Sequence, residues 1–217
     1  MLALRPPCKV NILYITIQPH PHALHMEYNV QIIHMSHDIH LTNQPIQCPD
    51  SCLSLSNPLL QTLTSILPTP PKSTLSIGSG TGLLESLLLL QHNPKHTCNQ
   101  QQTLNIHGIE VSFTVNKYLP EQNFSTVNGT WDISPLAAEA EAWMFVYPRE
   151  IKLVRTYLEE YASGKLEMIV WLGPRSDWDE YRGLLKGWEG FAVEVWEECG
   201  IASYEVMAVA RRSLRSR

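Results

Sequence analysis

The stretch Thr74-Leu-Ser-Ile-Gly-Ser-Gly-Thr-Gly82-Leu-Leu84 constrains this chain more than any other. Thr74 to Ile77 reads as a short strand. It runs directly into Gly78-Ser-Gly-Thr-Gly82, and Leu83 to Leu90 continues as a leucine-rich helix. A tight turn of alternating glycines brings backbone close to a ligand, because glycine adopts positive φ without a Cβ penalty. The helix N-terminus that follows offers unpaired N–H groups. In open α/β sheets, ligands bind outside the carboxyl ends of the strands, where such a turn stands.

The rest of the chain supports that setting. Asn57-Pro58 reads as a helix start, with Asn57 as the N-cap and Pro58 at the first helical position. Leu59, Leu60, Leu63, Ile66 and Leu67 then share one helical face. Further strands are expected at Leu104 to Val111, Phe124 to Val127, Ala142 to Tyr147 and Leu166 to Leu172. Pro148 reads as the opening of a helix with Ile151, Val154, Leu158 and Tyr161 on one face. Ser176-Asp-Trp-Asp179 has the spacing of a capping box and precedes a helix with Tyr181, Leu184, Leu185 and Trp188. Phe191 to Trp196 and Tyr204 to Ala210 read as two closing strands. Alternating strands and helices imply a doubly wound α/β fold with a mostly parallel sheet. The last two strands form an antiparallel pair at one edge.

The glycine pattern narrows the ligand. The dinucleotide fingerprint requires a third glycine three positions after the second, and Leu83 stands there. A P-loop requires Gly-Lys-Ser/Thr, whereas Gly82 is followed by Leu83 and Leu84. The remaining pattern, Leu75-Ser-Ile-Gly-Ser-Gly-Thr-Gly82, resembles the class I S-adenosylmethionine-dependent methyltransferases, whose fold is Rossmann-like. In element order the resemblance runs from about Asn57 to Arg212. It implies that Gly78, Ser79, Gly80 and Gly82 cradle the amino-acid part of S-adenosyl-L-methionine. That family often carries an acid two places before the first glycine, and Ser76 stands there in this chain.

Glu110 ends the second strand of the domain, 28 residues after Gly82. The resemblance implies that it accepts hydrogen bonds from the ribose hydroxyls, as an acceptor-only carboxylate can. The alternative is a solvated strand-end acid. Trp131 and Asp132 follow the third strand, where the family contacts adenine; Trp131 also reads as a loop residue covering the core edge. Tyr147-Pro-Arg149 follows the fourth strand, with Tyr147 as a wall of the cofactor or acceptor site. Methyl transfer from an activated sulfonium needs positioning above all. Glu150, Asp177 and Tyr147 are the candidate bases for an acceptor that needs one. The expected function is methyl transfer to a small-molecule acceptor. A non-catalytic binding or scaffold protein of the same fold stands beside it, because Ser76 departs from the pattern and no substrate cap is evident.

Composition divides the chain. Residues 1–100 hold four of the 16 Lys and Arg, four of the 21 Asp and Glu, eight of the nine His and 11 of the 15 Pro; all six Trp come later. Residues 1–52 show no sustained period. Val10 to Ile17 and Tyr28 to His34 read as short strands without a clear partner turn. This segment is expected to be a weakly ordered extension, with the methyltransferase-like domain over residues 53–217. His20, His22, His25, His34, His37 and His40 with Cys48 and Cys52 match no standard zinc module, so no metal is expected. A net charge of -5 gives no basic field for nucleic acid. No apolar run reaches the roughly 20 residues of a bilayer span. Five scattered cysteines and no convincing signal peptide point to the cytoplasm. The Arg-rich stretch from Arg211 reads as a solvated tail.

Overall fold

A computed structural model describes residues 11–19, 28–36, 40–90 and 104–213. The chain divides into two compact units, Met1–Leu41 and Thr42–Arg217. In the first, strands β1 (Asn11–Pro19) and β2 (Tyr28–Ser36) pair antiparallel, with Asn11 opposite Ser36 and Pro19 opposite Tyr28. The two strands that lacked a partner in the sequence therefore pair with each other. His20, His22, His25 and His37 lie outside the described residues.

The second unit runs α1 (Asn57–Ile66), β3 (Thr74–Ile77), α2 (Leu83–Leu90), β4 (Ile106–Glu110), β5 (Phe124–Thr126), β6 (Ala142–Val146), α3 (Ile151–Tyr161), β7 (Met168–Pro174), α4 (Trp178–Lys186), β8 (Phe191–Trp196) and β9 (Glu205–Arg212). Its seven strands lie in the order β5-β4-β3-β6-β7-β9-β8. The pairs β3–β4, β3–β6, β4–β5 and β6–β7 are parallel. β9 is antiparallel to both β7 and β8. β8 therefore points the same way as the parallel strands, and β9 alone is reversed. From β3 the chain first builds outward through β4 and β5. It then returns to build the other side through β6 and β7. The switch point lies at the carboxyl end of β3, directly under the glycine turn.

Alternation along each strand feeds both faces. Leu75, Ile77, Ile109, Trp143, Phe145, Ile169 and Trp171 join α3 and α4 in one buried cluster. Its aromatic contacts include Trp143 edge-on to Tyr157 at 5.9 Å and Trp171 against Tyr181 at 5.1 Å. Ser76, one residue out of phase, faces α2 on the other side, where its hydroxyl meets Glu85.

Several element starts differ from expectation, each for a local reason. Ser56, not Asn57, caps α1: its Oγ accepts from Leu59 N–H at 3.1 Å and donates to the Gly200 carbonyl at 2.6 Å. α3 begins at Ile151, with Glu150 extended at the N-cap, and the Pro148 carbonyl before it accepts from the Tyr181 hydroxyl. No capping box forms on α4. Asp177 at the N-cap is in the αR region, and Ser176 Oγ donates to Asp177 Oδ1 instead. Arg212 is no solvated tail: its guanidinium donates to the Leu166 and Ala162 carbonyls and lies over Phe191.

The start of the α/β unit also shifts. Residues 42–52, expected in the extension, pack with the sheet-bearing unit. Asn57 N–H donates to the Thr42 carbonyl, and Ile46 pairs with Leu55. Leu53 and Leu55 are fully buried. Among the described residues, no helix is long and apolar enough to cross a membrane.

Gly200 tests the α1 cap. It has φ +85°, and an added Cβ would stand 2.5 Å from Leu59 N and 2.6 Å from Ser56 Oγ. Gly200→Ala is expected to cost about 2–4 kcal/mol from left-handed strain and overpacking. Ser56→Ala should cost about 1–2 kcal/mol. Urea unfolding of both variants and the double variant should show less than additive loss, because both act on one cap.

Candidate cofactor site

The glycine turn is held from below by β4. Gly78 and Ser79 N–H groups both donate to the Ile109 carbonyl, at 2.9 and 3.1 Å. Gly78, Gly80 and Gly82 have φ of 74°, 57° and 77°. Beyond that shared conformation their roles differ. An added Cβ at Gly78 or Gly80 meets nothing within 4 Å, so the turn presents bare backbone to open space there. At Gly82 it would strike Leu119 Cγ at 2.8 Å and Asn116 Oδ1 at 2.9 Å. Gly82 therefore admits the loop after β4, and the open cradle is made at Gly78 and Gly80. Gly108 on β4 is likewise a packing glycine: a Cβ there would strike Leu119 Cδ1 at 2.5 Å and Ser79 Oγ at 2.6 Å.

Glu110 stands beside this cradle. Its Oε1 accepts from Gly80 N–H at 2.8 Å and its Oε2 from Val111 N–H at 3.0 Å. A carboxylate offers about four lone-pair sites. Each oxygen thus keeps acceptor capacity for a diol after these backbone bonds. The half-buried carboxylate is oriented by the turn it adjoins.

Two buried polar atoms near the turn have no hydrogen-bond partner, Ser79 Oγ and Glu85 Oε2. Glu85 lies in the first turn of α2 and is 1% exposed. Its Oε1 accepts from Ser76 Oγ at 2.5 Å. Burial pushes its pKa up from 4.5 to about 7, against the lowering effect of the Ser76 hydroxyl and of its own backbone N–H, and the nearby Glu110 charge adds to the rise. The sequence signal for Glu85 was an acid interrupting a leucine run.

Trp131 and Asp132 line a cleft of about 480 Å³ with Val127, Asn128 and Ile133. The cleft adjoins Glu110, whose carbonyl accepts from Val127 N–H at 2.9 Å. Trp131 is 52% exposed, with Lys152 Nζ over its ring at 5.2 Å. Val111 and Phe113, directly after Glu110, are also exposed. An apolar rim beside a carboxylate with spare acceptor capacity suits a flat heteroaromatic ring. Sequence reasoning missed Val111 and Phe113, which follow the strand without periodicity.

The fold has known counterparts. The structure matches the methyltransferase domain of bacterial CtHen1-C with a TM-score of 0.50 and 16% identity, covering 72% of this chain and 95% of that one. It matches precorrin-6y C5,15-methyltransferase from Geobacter metallireducens GS-15 with a TM-score of 0.52 and 10% identity, covering 81% of this chain and 100% of that one. This is the class I methyltransferase fold. The sequence matches no family model and no curated protein.

Tyr147 directly follows β6, the parallel neighbour of β3, with φ 49°, a left-handed conformation for a non-glycine residue. Its hydroxyl donates to Glu205 Oε1 at 2.8 Å. Burial and the Glu205 charge push its pKa up, so the phenol stays protonated and is not a general base. Glu205 is fully buried and also accepts from Ser54 N–H and Ala202 N–H. Of the other candidate bases, Glu150 is exposed at the start of α3, and Asp177 is engaged by Ser176. His107 Nε2 lies 2.7 Å from Ser125 Oγ, and burial lowers its pKa.

Residues 42–56 form a strap along this edge, which the sequence did not reveal. At one end Thr81 Oγ1 donates to the Asp50 carbonyl at 2.6 Å. The Asp50 carboxylate accepts from Lys117 Nζ and the Tyr118 hydroxyl. At the other end Ser54 N–H reaches Glu205 at 2.9 Å. The strap therefore links the glycine turn to the Tyr147–Glu205 pair.

The raised Glu85 pKa makes stability depend on pH. The folded state holds this proton more tightly than the unfolded chain. Its contribution is full below pH 4.5 and is lost as pH rises through about 7. A rise of that size corresponds to about 3 kcal/mol. Glu85→Gln cannot ionise, so it should gain stability over the parent by that order between pH 5 and 8. Urea unfolding of both proteins across this range checks it; a constant difference would refute the assignment.

Proposed function

We propose that this protein is an S-adenosyl-L-methionine-dependent methyltransferase acting on a small-molecule acceptor. The observation that carries the reading is the open cradle at Gly78 and Gly80 with Glu110 hydrogen-bonded to its edge. The residues present fit that cofactor. Gly78, Ser79 and Gly80 would hold its amino-acid end, Glu110 its ribose hydroxyls, and the cleft with Val111, Trp131 and Asp132 its adenine. Gly82 supports them by letting Leu119 pack beneath the turn.

When bound, the cofactor supplies an activated methyl group on a sulfonium, so orientation supplies most of the acceleration. The chain's own residues then orient the partners and exclude water. Glu110 fixes the turn relative to β4. Tyr147, held by Glu205 and the strap, forms a wall beside the acceptor. Its protonated hydroxyl removes no proton, which favours acceptors that already carry a free lone pair. The strap spans that side from Thr81 to Glu205, and a net charge of -5 offers no field for a nucleic acid. Both support a small acceptor. Free thiols at Cys52 and Cys199 support a cytoplasmic setting for this enzyme.

Calorimetric titration with S-adenosylmethionine and S-adenosylhomocysteine tests the reading. Saturable binding is expected. Gly80→Val fills the open space above the turn, and Glu110→Ala removes the diol acceptor. Each should weaken binding about tenfold or more, equivalent to about 1.4 kcal/mol. Absence of saturable binding to the parent protein overturns the function. Binding untouched by either substitution overturns the site, and binding without turnover on any acceptor supports the scaffold alternative.

A further inference from the structure

Glu85 is used by nothing described so far, yet it is the one fully buried acid at the glycine turn with an unpartnered oxygen. Its surroundings are defined on every packed side. On β3 its neighbour is Ser76, which donates to Oε1 at 2.5 Å. β3 and β4 place Ser76 opposite Gly108, and Ser79 Oγ fills the space over Gly108. The two orphaned atoms, Ser79 Oγ and Glu85 Oε2, thus lie by the same strand pair, at the base of the turn that carries Gly78 and Gly80. On β4 the charged neighbour is Glu110, while His107 is out of phase and engages Ser125. α1 contributes no titratable side chain. Next to the turn, Asp50 is occupied by Lys117 and Tyr118.

Two carboxyl groups therefore approach this turn, and Lys117, on the loop that docks against it, is already paired with Asp50. The ionised form leaves Oε2 without a donor and its buried charge uncompensated, whereas the protonated form can donate to the Ser76 hydroxyl. An added positive charge over the turn favours the ionised form, and the positive end of α2 assists it. We propose that Glu85 is the counter-charge for the cationic amino-acid end of the ligand seated over Gly78 and Gly80, and that it releases its proton to solvent when that ligand binds. Glu85 acts here as a positioning residue. It supplies from the helix a carboxyl that the strand, with Ser76, does not carry. The proposal rests on the cofactor reading above.

Release of a proton on binding has a direct thermodynamic signature. A group with a pKa of about 7 in the free protein, lowered well below 5 in the complex, makes affinity rise about twenty-fold from pH 5.5 to pH 7.5. S-adenosylhomocysteine is the probe. Its binding to the parent protein is measured by calorimetry at pH 5.5, 6.5 and 7.5, in buffers of different ionisation enthalpy. Close to one proton should be released per ligand at pH 5.5, falling as pH rises. Glu85→Gln keeps an acceptor for Ser76; it should bind more weakly than the parent at pH 7.5, release about one proton fewer at pH 5.5 and lose the twenty-fold slope. The exchange variant Ser76→Asp/Glu85→Ser returns a carboxyl from the strand side and should regain the pH 7.5 affinity that Glu85→Ser alone loses.

The outcomes separate cleanly. Equal proton release and equal pH dependence in parent and Glu85→Gln overturn the role of Glu85 and leave the cofactor reading intact. Binding by Glu85→Gln that matches the parent at every pH does the same. No binding of the probe to the parent at any pH overturns the cofactor reading and this proposal together.

Discussion

The bond from Gly80 N–H to Glu110 Oε1 is the constraint on which the rest of the site depends. It joins the turn leaving β3 to the carboxyl end of β4, where the sheet's connections part. With the two N–H bonds to the Ile109 carbonyl, it fixes a run of backbone that must pass through left-handed conformations. Everything around the turn then builds on a rigid edge. Lys117 and Tyr118 N–H groups dock on the Thr81 carbonyl, Leu119 packs on Gly82, and the strap reaches in through Asp50. A backbone so constrained can leave Gly78 and Gly80 bare without losing its shape. Pre-organisation of this kind keeps the ordering cost out of ligand binding.

What was legible in the sequence was mostly local. The strand, glycine turn and helix from Thr74 to Leu90 follow from neighbouring residues alone, and they lie where expected. Glu110 was legible as the end of a strand, because strands carry short-range signals. Ser56 was not, because the group that makes it the cap, the Gly200 carbonyl, is 144 residues away. The same holds for residues 42–52. They have no period, and what binds them is a set of side-chain bonds to Thr81, Lys117, Tyr118 and Glu205 that only the folded sheet assembles. Gly82 looked identical to Gly78 and Gly80. The difference lies in Leu119, which packs against Gly82 alone of the three.

The uneven composition acquires a physical origin within the α/β unit. Trp143, Trp171 and Trp178 fill the layer between the sheet and α3 and α4, where Tyr157 and Tyr181 join them. The opposite layer is packed by small and aliphatic side chains from α1 and α2, among them Leu59, Leu60, Leu63 and Leu88. Large rings on one face and leucines on the other follow the order in which the chain lays down its helices. Charge follows the same logic: α3 and α4 have exposed faces that need solvation, while α2 is almost entirely buried and carries a single acid.

The reversed strand β9 has a consequence for how the chain assembles. It follows β8 in sequence but lies between β7 and β8 in the sheet, bonded along both edges. β8 therefore pairs with β9 and not with the parallel strands. It joins the sheet only as the outer half of a hairpin whose inner half is made later. During synthesis the β7 edge stays unpaired until Glu205 and the residues after it emerge. Through that interval an apolar strand buried on both faces in the finished fold offers open hydrogen-bonding groups to any passing chain. Glu205 begins β9, so the buried anchor of Tyr147 and Ser54 arrives with the strand that seals that edge. The strand that completes the sheet thus also brings the group that anchors Tyr147 and Ser54.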